Sequence, residues 1–240
     1  MDFTGRKIVV VGGGKGIGRA AVSTLIAAGA RVVVADNDPE TPKSLPAGVG
    51  FLAVDATEFA DVERMFDAAL ADLGNIDGVL STVGGSQIIP FDELTPELWD
   101  KQIKFNLYSA FNVGRIALPL IAKSGGGALV LSSSGMGALG RPERVPYSAA
   151  KAGVMALARS LAMAGAADRV RVNAVAPGPT NTERFRRKDG EGLANVLPTM
   201  PMGEIPTPEE VADTMVFLLS DQSRQITGQT LHVNGGTVLP

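Results

Sequence analysis

The chain has 240 residues, of which 45% are apolar and 20% charged, and this suits one compact α/β domain with a buried core. The formal net charge is -3 with no long basic run, so neither nucleic acid nor an anionic membrane is an expected partner. There is no cysteine, which excludes disulfides, thiolate catalysis and thiolate-bound zinc, and a single histidine, His232, excludes a multi-histidine metal site.

Only seven residues precede the first apolar run, at 8–11, and that run ends in glycines. It reads as a strand and not as a signal peptide or membrane span, so the expected location is the cytoplasm. A helical pattern follows at 16–28, then strands at 31–35 and 50–54, a helix at 58–73, a strand at 78–82 and a long helix at 96–122. Beyond these come a strand at 128–132, a helix at 148–164 and a strand at 171–175. The stretch 179–206 has no periodicity, carries four prolines and the cations Arg184, Arg186, Arg187 and Lys188, and is expected to be a lid. A helix at 208–219 opens with Thr207 as its cap, proline at the first position and two acids at the positive end of the dipole. A strand at 230–233 ends the series, with His232 as a packed strand residue. Strands such as Val32-Val33-Val34 are apolar on both faces, as in parallel βαβ units whose sheet is covered by helices on both sides.

The first strand runs through Gly12-x-x-x-Gly16-x-Gly18 straight into a helix. Glycines at such a junction let the backbone approach a pyrophosphate seated on the helix N-terminus, although about a third of such glycine loops are only tight packing turns. Asp36 stands eighteen residues after Gly18, at the end of the second strand. An acid there can accept hydrogen bonds from both hydroxyls of an adenosine ribose and repels a 2′-phosphate, which favours NAD over NADP. Lys15, inside the loop, pulls toward NADP.

These residues, with the Asp55-Ala56 pair, Asn106, Ser134-x-x-Gly137-x-x-Gly140, Tyr147-x-x-x-Lys151, Asn173-x-Val175-x-Pro177-Gly178 and the tail motifs 226–229 and 233–236, resemble the short-chain dehydrogenase/reductase family over essentially the full length. The resemblance implies a Rossmann-type, doubly wound, seven-stranded parallel sheet with helices on both faces, assembled as a homotetramer. It implies that Gly12, Ile17, Asp36, Asp55, Ala56, Gly84 and the segment 177–182 line the dinucleotide, with Pro177 and Gly178 leading to Thr180 and Thr182 at the nicotinamide end. Lys15, Gly16, Gly18, Thr82 and Val83 join that lining, and Tyr147 and Lys151 contact the cofactor as well. Ser134, Tyr147, Lys151 and Asn106 form the implied catalytic tetrad, with no metal. Two departures stand out: the threonine that usually opens the glycine motif is Val11, and the usual Asn-Asn-Ala-Gly reads Ser81-Thr82-Val83-Gly84.

Read as chemistry, Tyr147 and Lys151 lie four apart on one helical face. A phenol is a poor base at neutral pH, and a neighbouring ammonium should favour phenolate and lower its pKa. Tyr147 would then exchange the alcohol proton, Ser134 would hold the substrate oxygen, and Asn106 would hold a water linking Lys151 to solvent. The substrate pocket is expected from 85–88, 135–136, 141–146 and the lid. The lid arginines read first as a solvated face and second as recognition of an anionic substrate, to which Arg141 and Arg144 add. The expected function is hydride transfer between NAD(H) and a small alcohol or carbonyl compound. An NADP(H)-dependent ketoreductase is the alternative, and a non-catalytic dinucleotide sensor a distant one.

Overall fold

Runs of β-branched residues form the centre of the sheet in the structure, a computed structural model that describes residues 1–188 and 196–239. In β1 (Lys7–Val11) the side chains alternate between two cores: Val9 and Val11 face one, Ile8 and Val10 the other, and all four are fully buried. β2 (Arg31–Asp36) does the same with Val33 and Ala35 against Val32 and Val34. Each such buried side chain contributes roughly 1.5–3 kcal/mol, and only a sheet covered on both faces can bury them all.

The remaining strands are β3 (Gly50–Ala53), β4 (Gly78–Ser81), β5 (Gly127–Ser132), β6 (Val170–Pro177) and β7 (Thr230–Val233). They form one seven-stranded sheet in the order β3-β2-β1-β4-β5-β6-β7, with every pair parallel. Strand order reverses between β1 and β4, which opens a ligand crevice beyond their C-terminal ends. One face is covered by α1 (Gly16–Ala27) and, late in the chain, Pro208–Leu219; the other by α3 (Phe59–Leu73), Ser109–Lys123 and Val145–Gly165.

Four details differ from the sequence expectation. A single helical turn, α2 (Thr41–Ser44), follows β2. The long helix is α4 (Pro96–Ile103), a π-helical segment Lys104–Tyr108 and α5 (Ser109–Lys123). α6 (Val145–Gly165) starts three residues earlier than 148, because Pro146 is well tolerated in a first turn, and so Tyr147 is already helical. The expected lid contains α7 (Glu183–Lys188), and its residues 189–195 lie outside the described residues. α8 (Pro208–Leu219) has the expected cap in full, with reciprocal bonds between Thr207 and Glu210. Among the described residues no helix is long and apolar enough to cross a membrane, and no group of acids and histidine could hold a metal.

Candidate active site

The turn after β1 is shaped by close backbone approach. A Cβ on Gly18 would run into the carbonyl of Gly12 and lie 2.6 Å from Thr82 Oγ1, so only glycine lets α1 start against the end of β1. Thr82 Oγ1 donates to Gly12 O at 2.9 Å and sits 3.4 Å from Val11 O. The hydroxyl absent at Val11 is therefore supplied from the residue that follows β4. Lys15 at the N-cap makes no side-chain cap, and the first turn of α1 holds no acid, in contrast to the fully capped α8. The N–H groups of Gly16, Ile17 and Gly18 thus fit an anion such as a pyrophosphate. Gly18→Ala is expected to weaken dinucleotide binding at least about tenfold and to lower Tm by several degrees, read by cofactor titration and thermal melting.

Beside this turn, Asp36 Oδ2 accepts from Gly14 N at 2.8 Å and Oδ1 from Asp38 N at 3.0 Å. Lys15 Nζ reaches Asp38 Oδ2 at 2.5 Å, and that contact holds the Asp38 carboxyl below its usual range. The buried hydroxyl of Thr41 has no hydrogen-bond partner and packs on Gly14 next to Asp36, a feature the sequence did not signal. Asp55 is exposed and accepts from Thr57 N and Oγ1 at 2.9 and 2.8 Å, while buried Ala56 gives its carbonyl to Asn112 Nδ2 at 3.1 Å. Val83 packs against the core under α3, α5 and α6, and Ile17 against the opposite one.

Lys151 lies one turn beyond Tyr147 on α6, is 2% exposed, and donates from Nζ to Ser132 O at 2.8 Å. Its Nζ is 5.9 Å from the centre of the Tyr147 ring. Burial, followed by the charge of Arg184, pushes the Lys151 ammonium from 10.5 down to about 7. Tyr147 is half-buried in the first turn of α6. Burial pushes its phenol up, opposed by a hydrogen bond with Ser134 and by the charges of Arg184 and Arg144. The expected lowering of the phenol by Lys151 is not the balance found here. The two groups share one water-poor site, and burial disfavours the charged form of each.

Ser134 is buried and accepts from Met136 N at 3.2 Å. Asn106, fully buried in the π-helical segment, accepts from Gly85 N at 2.8 Å and donates to Gly85 O and Gln102 O at 3.2 and 3.0 Å. Its carboxamide clamps the backbone after β4. At Gly84 (φ +138°) a Cβ would lie 2.7 Å from both Asn106 Oδ1 and Lys151 Nζ, so this glycine is where the two side chains converge.

From the other side, Pro177 ends β6, Gly178 packs on the Asn234 backbone, and buried Thr180 donates to Gly178 O at 3.1 Å. Thr182 lies over Gly16 and caps the start of α7 by accepting from Phe185 N at 3.2 Å. Arg184, read from sequence first as a solvated face, is exposed as that reading expects and also donates from Nη1 to Gly84 O at 3.0 Å. Arg144 donates to Ser86 Oγ at 2.7 Å. Sequence reasoning also missed buried Gln102 and the Ser132 carbonyl, a backbone group that no side-chain pattern announces. His232 is a half-buried β7 residue whose pKa is lowered by burial, as expected for a packed strand position.

A family model described as Enoyl-(Acyl carrier protein) reductase matches residues 11–238. The chain is 31% identical to the 3-oxoacyl-(acyl-carrier-protein) reductase of Salmonella typhimurium, over 98% of each chain. It is 36% identical to cis-4-hydroxycyclohexanecarboxylate dehydrogenase of Sinomonas cyclohexanicum, over 98% of this chain and 97% of that one. A short-chain type dehydrogenase/reductase from Mycobacterium ulcerans superposes with a TM-score of 0.92 at 29% identity, covering 99% of this chain and 91% of the other.

Proposed function

The chain belongs to the short-chain dehydrogenase/reductase family and is an oxidoreductase acting on a carbonyl or hydroxyl group, and from that premise we propose that it moves hydride between NAD(H) and a small alcohol or carbonyl compound, with Tyr147 as general acid/base. The observation that carries this reading is a chain of contacts: Asn106 and Lys151 both meet Gly84, Lys151 Nζ lies 5.9 Å from the Tyr147 ring, and the Tyr147 phenol is hydrogen-bonded with Ser134.

When bound, the dinucleotide supplies or accepts the hydride. The uncapped start of α1 would hold its pyrophosphate, while Asp36 and the unpartnered Thr41 hydroxyl would face its adenosine ribose. Tyr147 enters the reaction protonated, as its raised pKa requires, and gives its proton to the forming alkoxide; in the oxidising direction it takes that proton back. Ser134 donates to the same substrate oxygen and fixes its distance from the phenol. Lys151, tied to Ser132 O, presents its amine on the Gly84 side of the phenol, and Asn106 keeps the Gly84–Gly85 backbone in place for both. Residues 1–240 act as one domain, and the contacts of Thr182 on Gly16 and Arg184 on Gly84 support the stretch 179–206 as its lid. The exposed Tyr108 at the end of the π-helical segment, Phe111 on α5 and Met163 on α6 support assembly as a homotetramer.

NAD is the proposed cofactor because Asp36 and Asp38 both lie beside the glycine turn and Lys15 is already paired with Asp38. The competing choice, NADP, needs Lys15 to leave Asp38 for a phosphate. Thermal shift with each dinucleotide separates the two. NAD is expected to bind at least about tenfold more tightly than NADP, and Asp36→Ala to erase most of that difference. Tighter binding of NADP by the native protein would reverse the assignment.

A further inference from the structure

Two guanidinium groups meet the same short loop from distant parts of the chain. Arg144, the residue before α6, donates to Ser86 Oγ at 2.7 Å, and Arg184, on α7, donates to Gly84 O at 3.0 Å. Between these anchors lies Gly85, on whose bare α-carbon the Arg184 guanidinium is packed so closely that any Cβ would collide with it. The two anchoring residues have Cα atoms within about 7 Å of each other, so both cations face the same short loop. Tyr147 is close enough for both charges to act on its phenol, and Lys151 for Arg184 to act on its ammonium.

Counter-charge at this spot is thin. Glu143 lies 4.0 Å from Arg144 Nε, the limit of an ion pair, and among the described residues no carboxylate is within that distance of Arg184. Exposed Arg184 and part-buried Arg144 keep their charges hydrated, and Arg184 repels the Lys151 ammonium behind it, so an anionic ligand would be drawn to this loop. Planar forks match a carboxylate in paired, directional hydrogen bonds, which would orient a small molecule as well as attract it.

We propose that the substrate is an oxo acid, or the corresponding hydroxy acid, whose carboxylate is held between Arg144 and Arg184 while its carbonyl or hydroxyl oxygen lies at Ser134 and Tyr147. The proposal rests on the oxidoreductase reading above and adds the chemical class of the substrate.

Matched pairs test this: acetoacetate, levulinate and phenylglyoxylate, each against its methyl ester, with NADH oxidation followed by absorbance. The native protein should favour at least one acid over its ester by about tenfold or more in kcat/KM, expressed through KM. Arg144→Gln and Arg184→Gln should collapse that preference, cutting the rate on the acid far more than on the ester. Equal turnover of acids and esters overturns the proposal and leaves the oxidoreductase reading standing. Turnover of neither by the native protein counts against a small carbonyl compound of this kind as the substrate, which is the finer part of the reading above. The proposal is then decided by binding alone: an acid, and not its ester, should raise the Tm of the cofactor-loaded native protein and not that of the double variant. A rise in the Kd for the dinucleotide in Arg184→Gln, with equal losses on acid and ester, would assign that arginine to the cofactor and overturn its role here.

Discussion

Tyr147→Phe is expected to lower kcat/KM by about a thousandfold or more while leaving dinucleotide affinity within about threefold. The ring stays, and with it the packing at the start of α6, so the fold should be unaffected. What is lost is the only group among the four converging side chains that combines a transferable proton with a place beside Ser134. A thousandfold is roughly 4 kcal/mol of barrier, within the range that one positioned proton donor supplies. Steady-state kinetics with a parallel cofactor titration read the two effects separately. Residual activity within tenfold of the native protein would mean that another group moves the proton.

Lys151→Met should abolish turnover and yet stabilise the protein at neutral and acidic pH. Unfolded, this ammonium titrates at its ordinary 10.5, and folded at about 7. Between these two values the unfolded chain carries the proton and the folded one does not, so stability contributed by this site rises with pH from about 7 to 10.5. Below pH 7 both states are charged and the full cost of burying the ammonium is present, roughly 5 kcal/mol by that gap. Methionine fills similar space without the charge. Leaving Ser132 O without its donor returns about 1–3 kcal/mol of cost, so the net gain should be a few kcal/mol and several degrees in Tm. Thermal melts from pH 6 to 10 should show the variant ahead at the acid end and the gap closing as pH rises. A variant less stable than the native protein at pH 6 would show that the ammonium is not buried at a cost.

Most of the scaffold could be read from residue order because each signal was local. Val9 to Val11 and Val32 to Val34 are β-branched on both faces, which only a covered parallel sheet tolerates, and Thr207 with Glu210 announces the start of α8 within four residues. Ser134, Tyr147 and Lys151 were legible through fixed spacing. The contacts that escaped are long-range or use backbone. Thr82 reaches the glycine turn from seventy residues away, Arg184 reaches Gly84 across a hundred, and Ser132 contributes only its carbonyl. Apolar periodicity also hid the π-helical segment, since a single wider turn hardly disturbs the pattern on either side.

That segment, Lys104–Tyr108, has a consequence that concerns chain length. Each residue of an α-helix advances about 100° around the axis, so one residue more or less re-phases everything on one side of it. Here the segment itself carries the Asn106 clamp on Gly85 and follows α4, while the buried stripe Val113, Ala117 and Ile121 of α5 lies beyond it. Deleting any one of the four residues around Asn106 forces a choice between those two faces: the carboxamide swings off the loop, or the stripe rotates away from the sheet. The clamp is thus a property of how many residues the helix contains. Exchange of one side chain for another cannot create it in a regular helix, whereas a one-residue insertion can.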